Sequence, residues 1–88
     1  MSVVAQIEAA LKSAKLPKWI DRFTVEPMTD HSGGRAVRIT LVVREDQTDV
    51  LQDGAALNDV ARRVHSAVDE AGLDLWPYSE FVSASEAA

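Results

Sequence analysis

Residues 23–27 read Phe23-Thr24-Val25-Glu26-Pro27, residues 30–34 read Asp30-His31-Ser32-Gly33-Gly34, and residues 37–43 read Val37-Arg38-Ile39-Thr40-Leu41-Val42-Val43. Apolar and polar side chains alternate on both sides of a glycine-containing turn. This pattern predicts an antiparallel hairpin with one dry face and one solvated face. A lone hairpin is at best marginally stable in water, so other elements must cover its dry face.

Side-chain pairing across the turn predicts the register of this hairpin. If Glu26 lies opposite Arg38, then Thr24 lies opposite Thr40, and each such pair contributes about 0.2–1 kcal/mol. The alternation then assigns the remaining side chains to two faces. The dry face is expected to hold Phe23, Val25, Val37, Ile39, Leu41 and Val43. The solvated face is expected to hold Arg22, Thr24, Glu26, Arg38, Thr40, Val42 and Arg44.

One amphipathic helix is predicted before the hairpin and another after it. Ser2 can cap a helix that runs to about Lys15, and Pro17 closes that segment. A second helix is expected where apolar residues recur at helical spacing, and Gly72 suits the left-handed position just past its end. The apolar residues of this second helix are Leu57, Val60, Ala61, Val64, Ala67, Val68 and Ala71.

The remaining segments complete an α+β fold. Residues 45–54 are acidic and are expected to form a long loop, in which Val50 and Leu51 could form a short turn. Tyr78 to Ser83 favour a third strand parallel to one hairpin strand. The predicted architecture is a two-layer sandwich of order α-β-β-α(-β), with a small hairpin-based antiparallel sheet and both helices on one face. Residues 1–82 are expected to form a single domain, and residues 83–88 a frayed tail.

The composition limits the classes of partner. Fourteen acidic residues oppose nine basic ones, which gives a net charge of -5. Such a charge repels phosphate backbones and favours a partner with a basic surface. The chain has no cysteine, no signal-like N-terminus and no long apolar run, so the expectation is a soluble cytoplasmic protein without membrane contact.

None of the candidate chemical motifs predicts an enzyme or a metal site. His31 stands in a turn, where adjacent residues cannot easily assemble a catalytic triad. His65 has Asp69 at i+4, one pairing partner where a metal requires three or four ligands. The acidic residues 46–53 lack the spacing of a calcium loop, and Gly33-Gly34 precedes a strand rather than a phosphate-binding helix. No cofactor and no small-molecule substrate are therefore expected.

The leading prediction is a small, non-enzymatic protein-binding module. It could be a homodimer, or the antitoxin- or immunity-like partner of a larger protein. The aromatic residues could either close the core or form a contact surface. The residues predicted to contact a partner are Glu45, Asp46, Asp49 and Asp53 for electrostatic attraction, and Trp76 and Tyr78 as anchors.

The alternative prediction is a nucleic-acid-binding domain that uses a basic sheet face. That face would be formed by Arg22, Arg35, Arg38 and Arg44. The predicted element order resembles the outline of type II KH-like proteins such as the BolA family. The chain has neither the Gly-x-x-Gly turn of a KH nucleic-acid site nor the histidine-bearing signature of BolA-like proteins, so the resemblance is one of topology only.

Overall fold

The computed structural model describes residues 2–29 and 33–87. Its elements are α1 (Val3–Ser13), β1 (Ile20–Thr29), β2 (Arg35–Val43), a 3₁₀ segment (Glu45–Gln52), α2 (Gly54–Glu70), β3 (Trp76–Ser83) and α3 (Ala84–Ala87). Within the described residues, the strands form one mixed sheet of order β1-β2-β3, in which β1 is antiparallel and β3 is parallel to β2. The predicted α+β class is confirmed. No helix in these two ranges is long and apolar enough to cross a membrane.

The first helix begins at the predicted cap. The Ser2 Oγ accepts a hydrogen bond from the Ala5 backbone N–H at 3.1 Å, which satisfies one of the donors that the first turn leaves without a partner. The helix ends at Ser13, slightly before the predicted end. Lys15 then adopts a left-handed backbone conformation with φ of 54°, so the chain has already left the helical path before Pro17.

The predicted hairpin register is confirmed. Glu26 faces Arg38 and Thr24 faces Thr40 across the β1–β2 pair. The Arg38 Nη1 lies 3.6 Å from the Glu26 Oε2, an exposed ion pair. His31 belongs to residues 30–32 of the predicted turn, which lie outside the described residues.

The core joins both long helices to one face of β2. Its buried members are Ile7 and Leu11 of α1, Val37, Ile39 and Leu41 of β2, and Val60, Val64 and Val68 of α2. Each of these side chains is at most 1 % exposed. The β2 members alternate along the strand, as the predicted dry face requires, because successive strand residues point to opposite sides.

The second helix has a side-chain cap at its N-terminus and a backbone cap at its C-terminus. The Asp53 Oδ1 accepts a hydrogen bond from the Ala56 N–H at 3.2 Å at the N-terminus. At the C-terminus Gly72 has a φ of 74°, and its N–H donates to the Asp69 carbonyl at 3.0 Å. The predicted role of Gly72 is therefore confirmed, since glycine adopts this conformation without steric cost.

One residue of the predicted solvated face is buried. Val42 was expected in solvent by alternation, and that expectation is wrong, because its side chain is 1 % exposed. Its register neighbours are Arg22 on β1 and Val82 on β3. The α3 turn and the 3₁₀ segment each contact both β2 and β3, and we attribute the burial of Val42 to these two elements.

The acidic stretch predicted as a loop is helical instead. Residues Glu45–Gln52 form short 3₁₀ turns, interrupted at Gln47, where φ is -127° and ψ is 22°. Short 3₁₀ turns need only local i to i+3 hydrogen bonds and therefore no apolar periodicity, which is why the sequence pattern misses them.

The C-terminal residues form a helical turn rather than the expected frayed tail. The Ser83 N–H donates to the Glu86 Oε1 at 3.2 Å, and the Glu86 N–H donates to the Ser83 Oγ at 3.3 Å. This reciprocal pair is a capping box. The Glu45 carboxylate also accepts hydrogen bonds from the Ser85 N–H at 3.0 Å and the Ser85 Oγ at 3.3 Å, so the turn is tied to the start of the 3₁₀ segment.

Candidate partner-binding surface

Two aromatic side chains of β3 lie at the surface. Trp76 is 53 % exposed and Tyr78 is 40 % exposed, and among the described residues they are the only large hydrophobic side chains in this state. Their ring centroids lie 6.4 Å apart in an edge-to-face arrangement. An indole and a phenol held in this way offer apolar area that is already ordered before any partner binds.

His65 of α2 contacts the Trp76 ring. Its ring centroid lies 4.9 Å from that of Trp76, again edge-to-face. No ion pair links His65 to Asp69, so the pairing expected from the sequence is wrong and an aromatic contact takes its place. We call Trp76, Tyr78 and His65 the aromatic patch. The sequence misses this contact because the two residues meet only when β3 docks beside α2.

The other large aromatic side chains close the core. Trp19, Phe23 and Phe81 are partly buried against the core cluster, and the ring centroids of Trp19 and Phe81 lie 6.5 Å apart. Phe81 faces Leu41 in the β2–β3 register, whereas Tyr78 faces Arg38. Strand parity therefore separates the two interpretations that the sequence leaves open, with Phe81 on the dry face and Tyr78 on the opposite face.

The sheet has two edges, which differ in the features that discourage pairing with a further strand. The β1 edge carries a register irregularity between Ile20 and Arg22, a proline at Pro27 and exposed charges, all of which discourage further strand pairing. The β3 edge carries the aromatic patch at its N-terminal end. At its C-terminal end the Ser83 N–H is already occupied by Glu86.

The four acidic residues predicted for electrostatic contact do not form one free cluster. Glu45 binds Ser85, the Asp46 Oδ1 lies 3.5 Å from the Arg44 Nε, and Asp53 caps α2. Within the part of the chain that the structure describes, Asp49 is the one member of the set whose carboxylate makes no hydrogen bond or ion pair. The sequence shows the local charge but not these structural roles, since two of the partners are distant or backbone groups.

The arginines predicted for nucleic-acid contact are mostly paired with carboxylates. The Arg22 Nη1 lies 2.7 Å from the Asp21 Oδ2. Arg38 lies between the carboxylates of Glu26 and Glu80, with N–O distances of 3.6 Å and 3.9 Å. Arg44 pairs with Asp46, and Arg35 is exposed at the start of β2. This face therefore carries alternating charge rather than a continuous basic stripe.

One surface depression lies away from these residues. It is an open groove of about 680 Å³ between α1 and α2, lined by small side chains such as Ala10, Ala14 and Ala67 and rimmed by Arg62 and Glu70. In residues 2–29 and 33–87 no group of three or more histidine, aspartate or glutamate side chains is placed to hold a metal ion. The residues that line the groove include no histidine.

Comparison with protein-family models, with curated proteins and with solved structures found no match for this chain.

Proposed function

We propose that this protein is a small, non-enzymatic protein-binding module that contacts its partner through the aromatic patch and the adjoining edge of β3. The exposure of Trp76 and Tyr78 is the observation that carries this proposal. Tryptophan and tyrosine dominate the energetics of protein interfaces because they bury a large apolar area and lose little conformational entropy.

The edge strand beside the patch supports the same proposal. An exposed strand edge can accept a strand of another chain, with backbone hydrogen bonds giving affinity and neighbouring side chains giving specificity. Each edge strand contains a proline, Pro27 in β1 and Pro77 in β3. The β1 edge also carries the irregularity between Ile20 and Arg22, whereas the β3 edge adjoins the aromatic patch, so β3 is the better candidate. The partner would be a second copy of the chain or a larger protein, as in antitoxin- or immunity-like pairs.

The net charge favours a basic surface on any unlike partner. Charge complementarity would mainly raise the association rate. Of the predicted acidic residues, Asp49 is best placed for this role, because its carboxylate has no partner among the described residues. Nucleic-acid binding draws less support, since carboxylates lie beside Arg22, Arg38 and Arg44.

The aromatic patch can be tested by capture of partners from native lysate. The chain is immobilised as wild type, as Trp76→Ala and as Tyr78→Phe, and the thermal melting temperature of each variant is measured first. We expect Trp76→Ala to weaken binding by at least about 2 kcal/mol, roughly thirty-fold, as for other central aromatic residues. Tyr78→Phe keeps the ring and serves as the matched control.

Purified partner then separates specific from adventitious capture. Asp49→Asn should slow association with a basic partner and leave dissociation nearly unchanged. If folded Trp76→Ala captures the same proteins with the same affinity as wild type, the aromatic patch is not the binding surface and the proposal is wrong.

A further inference from the structure

Two observations indicate which backbone N–H and C=O groups of β3 point away from β2, towards the open edge. In a strand, the N–H and C=O groups of successive residues point alternately to the two sides. The Ser83 N–H donates to Glu86 and is therefore not directed at β2. Pro77, six residues earlier and of the same parity, has no N–H to give. Both point to the odd-numbered residues of β3 as those that face outward.

The open stretch of this edge is short and symmetric. Outward N–H groups belong to Ser79 and Phe81, and outward carbonyls belong to Pro77, Ser79 and Phe81. The strand begins at Trp76, and the capping box occupies the edge at Ser83. The usable edge therefore runs over residues 77–81, and its centre is Ser79, whose own N–H and C=O both point outward.

We propose, on the basis of the proposed function, that the partner at this edge is a second copy of the chain, paired antiparallel with β3 about a two-fold axis through Ser79. In this arrangement Ser79 donates to and accepts from Ser79 of the second copy. Phe81 donates to the Pro77 carbonyl of the second copy, and the reverse contact follows by symmetry. The two sheets then join into one continuous sheet.

The side chains of the solvated face also match in this register. The two-fold axis pairs residues that lie equally far before and after Ser79. Tyr78 therefore lies opposite Glu80 of the second copy, and Trp76 lies opposite Val82 of the second copy. These are non-hydrogen-bonded positions, where side chains approach closely. Trp76 thus gains an apolar neighbour, and the second copy's Glu80 meets Tyr78 with Arg38 beside it in register.

The side-chain match in this register favours a second copy over an unrelated strand. The pairing leaves one outward group of residues 77–81 without a donor, because the Phe81 carbonyl faces Pro77 of the second copy, which has no N–H. The like net charge of -5 on each copy opposes association. Salt should therefore strengthen the dimer, whereas it would weaken binding to a basic protein.

Sedimentation equilibrium of the full chain tests the proposal. We expect the mass to rise from 9.6 kDa towards twice this value, with a Kd between micromolar and millimolar because the contact is small. Added salt should lower the Kd. Ser79→Pro removes the central outward N–H and should give a monomer, while Ser79→Ala keeps that N–H and should remain a dimer.

A single cysteine gives a second, independent readout. The chain has no cysteine of its own. Hydrogen-bonded antiparallel partners have Cα atoms about 5.5 Å apart, which lies within the range that a disulfide spans. Ser79→Cys should therefore form a disulfide-linked dimer on mild oxidation, and Thr24→Cys on the opposite edge strand should not. This readout does not depend on the folding of the proline variant.

The outcomes separate the dimer from the binding module. If the wild-type chain stays monomeric at about 1 mM, the free energy of association is weaker than about 4 kcal/mol, and the dimer is wrong. Cross-linking of Ser79→Cys that is no faster than that of Thr24→Cys also overturns the dimer. If such a monomer still captures a protein in a Trp76-dependent way, the self-pairing is wrong and the proposed function stands.

Discussion

Removal of residues 84–88 should destabilise the protein through Val42, a residue on the opposite face of the sheet from the main core. In the full chain Val42 is 1 % exposed, and the α3 turn, like the 3₁₀ segment, contacts both β2 and β3. Without the turn, part of the Val42 side chain meets water. The contacts of Ser85 with Glu45 and the capping box are lost at the same time.

The expected cost can be worked out from these contacts. Full burial of a valine side chain contributes about 1.5–3 kcal/mol, and α3 supplies only part of that cover. The exposed hydrogen bonds add about 1 kcal/mol. A loss of about 2 kcal/mol is expected, out of roughly 4–13 kcal/mol for a chain of this length. The melting temperature should fall by roughly 10 °C.

A double-mutant cycle assigns this loss to Val42. Val42→Thr is measured by urea unfolding in the full chain and in the truncated chain. We expect it to cost about 1–2 kcal/mol in the full chain and less than half of that after truncation, because a residue already exposed loses less. Val64→Thr is the matched control, since Val64 is fully buried among the two long helices and should cost the same in both backgrounds. Equal costs of Val42→Thr in both chains would show that α3 does not cover Val42.

Two smaller effects follow from the exposed polar contacts. Arg38→Glu places a third carboxylate between Glu26 and Glu80 and should lower the urea midpoint by an amount equivalent to roughly 0.5–1 kcal/mol, while Arg38→Gln should cost less; an unchanged midpoint for Arg38→Glu would mean that these exposed pairs contribute nothing. Asp53→Ala should cost about 1 kcal/mol of unfolding free energy because the first turn of α2 loses its cap, and Asp53→Asn should cost almost nothing; similar losses for both would point to charge rather than capping.

The hairpin and α2 could be predicted because their signals are local. Glu26 and Arg38 specify the register through a contact between strands that are close in sequence, and the valines of α2 recur at a single helical period. The burial of Val42 could not be predicted, since alternation gives the side of the sheet on which a residue lies but not what covers that side. The sequence does contain one signal for the α3 turn, because Ser83 and Glu86 have the spacing of a capping box.

The candidate surface was only partly accessible to the same reasoning. Trp76 and Tyr78 can be named as interface residues from their chemistry, but whether an aromatic ring seals the core or faces solvent depends on strand parity and on the neighbours that docking supplies. His65 reaches Trp76 only after α2 and β3 come together. The structural roles of Glu45 and Asp53 were hidden for the same reason, since a carboxylate that binds a backbone N–H looks in sequence like any solvated charge.

The position of β2 in the middle of the sheet has a consequence for synthesis on the ribosome. One neighbour of β2 is separated from it by only five residues of sequence, whereas the other is encoded more than thirty residues downstream, beyond α2. Local pairing closes quickly and distant pairing closes late. The nascent chain therefore spends the interval before β3 emerges with one side of its central strand unsatisfied, and a chaperone or a neighbouring nascent chain would meet that side first.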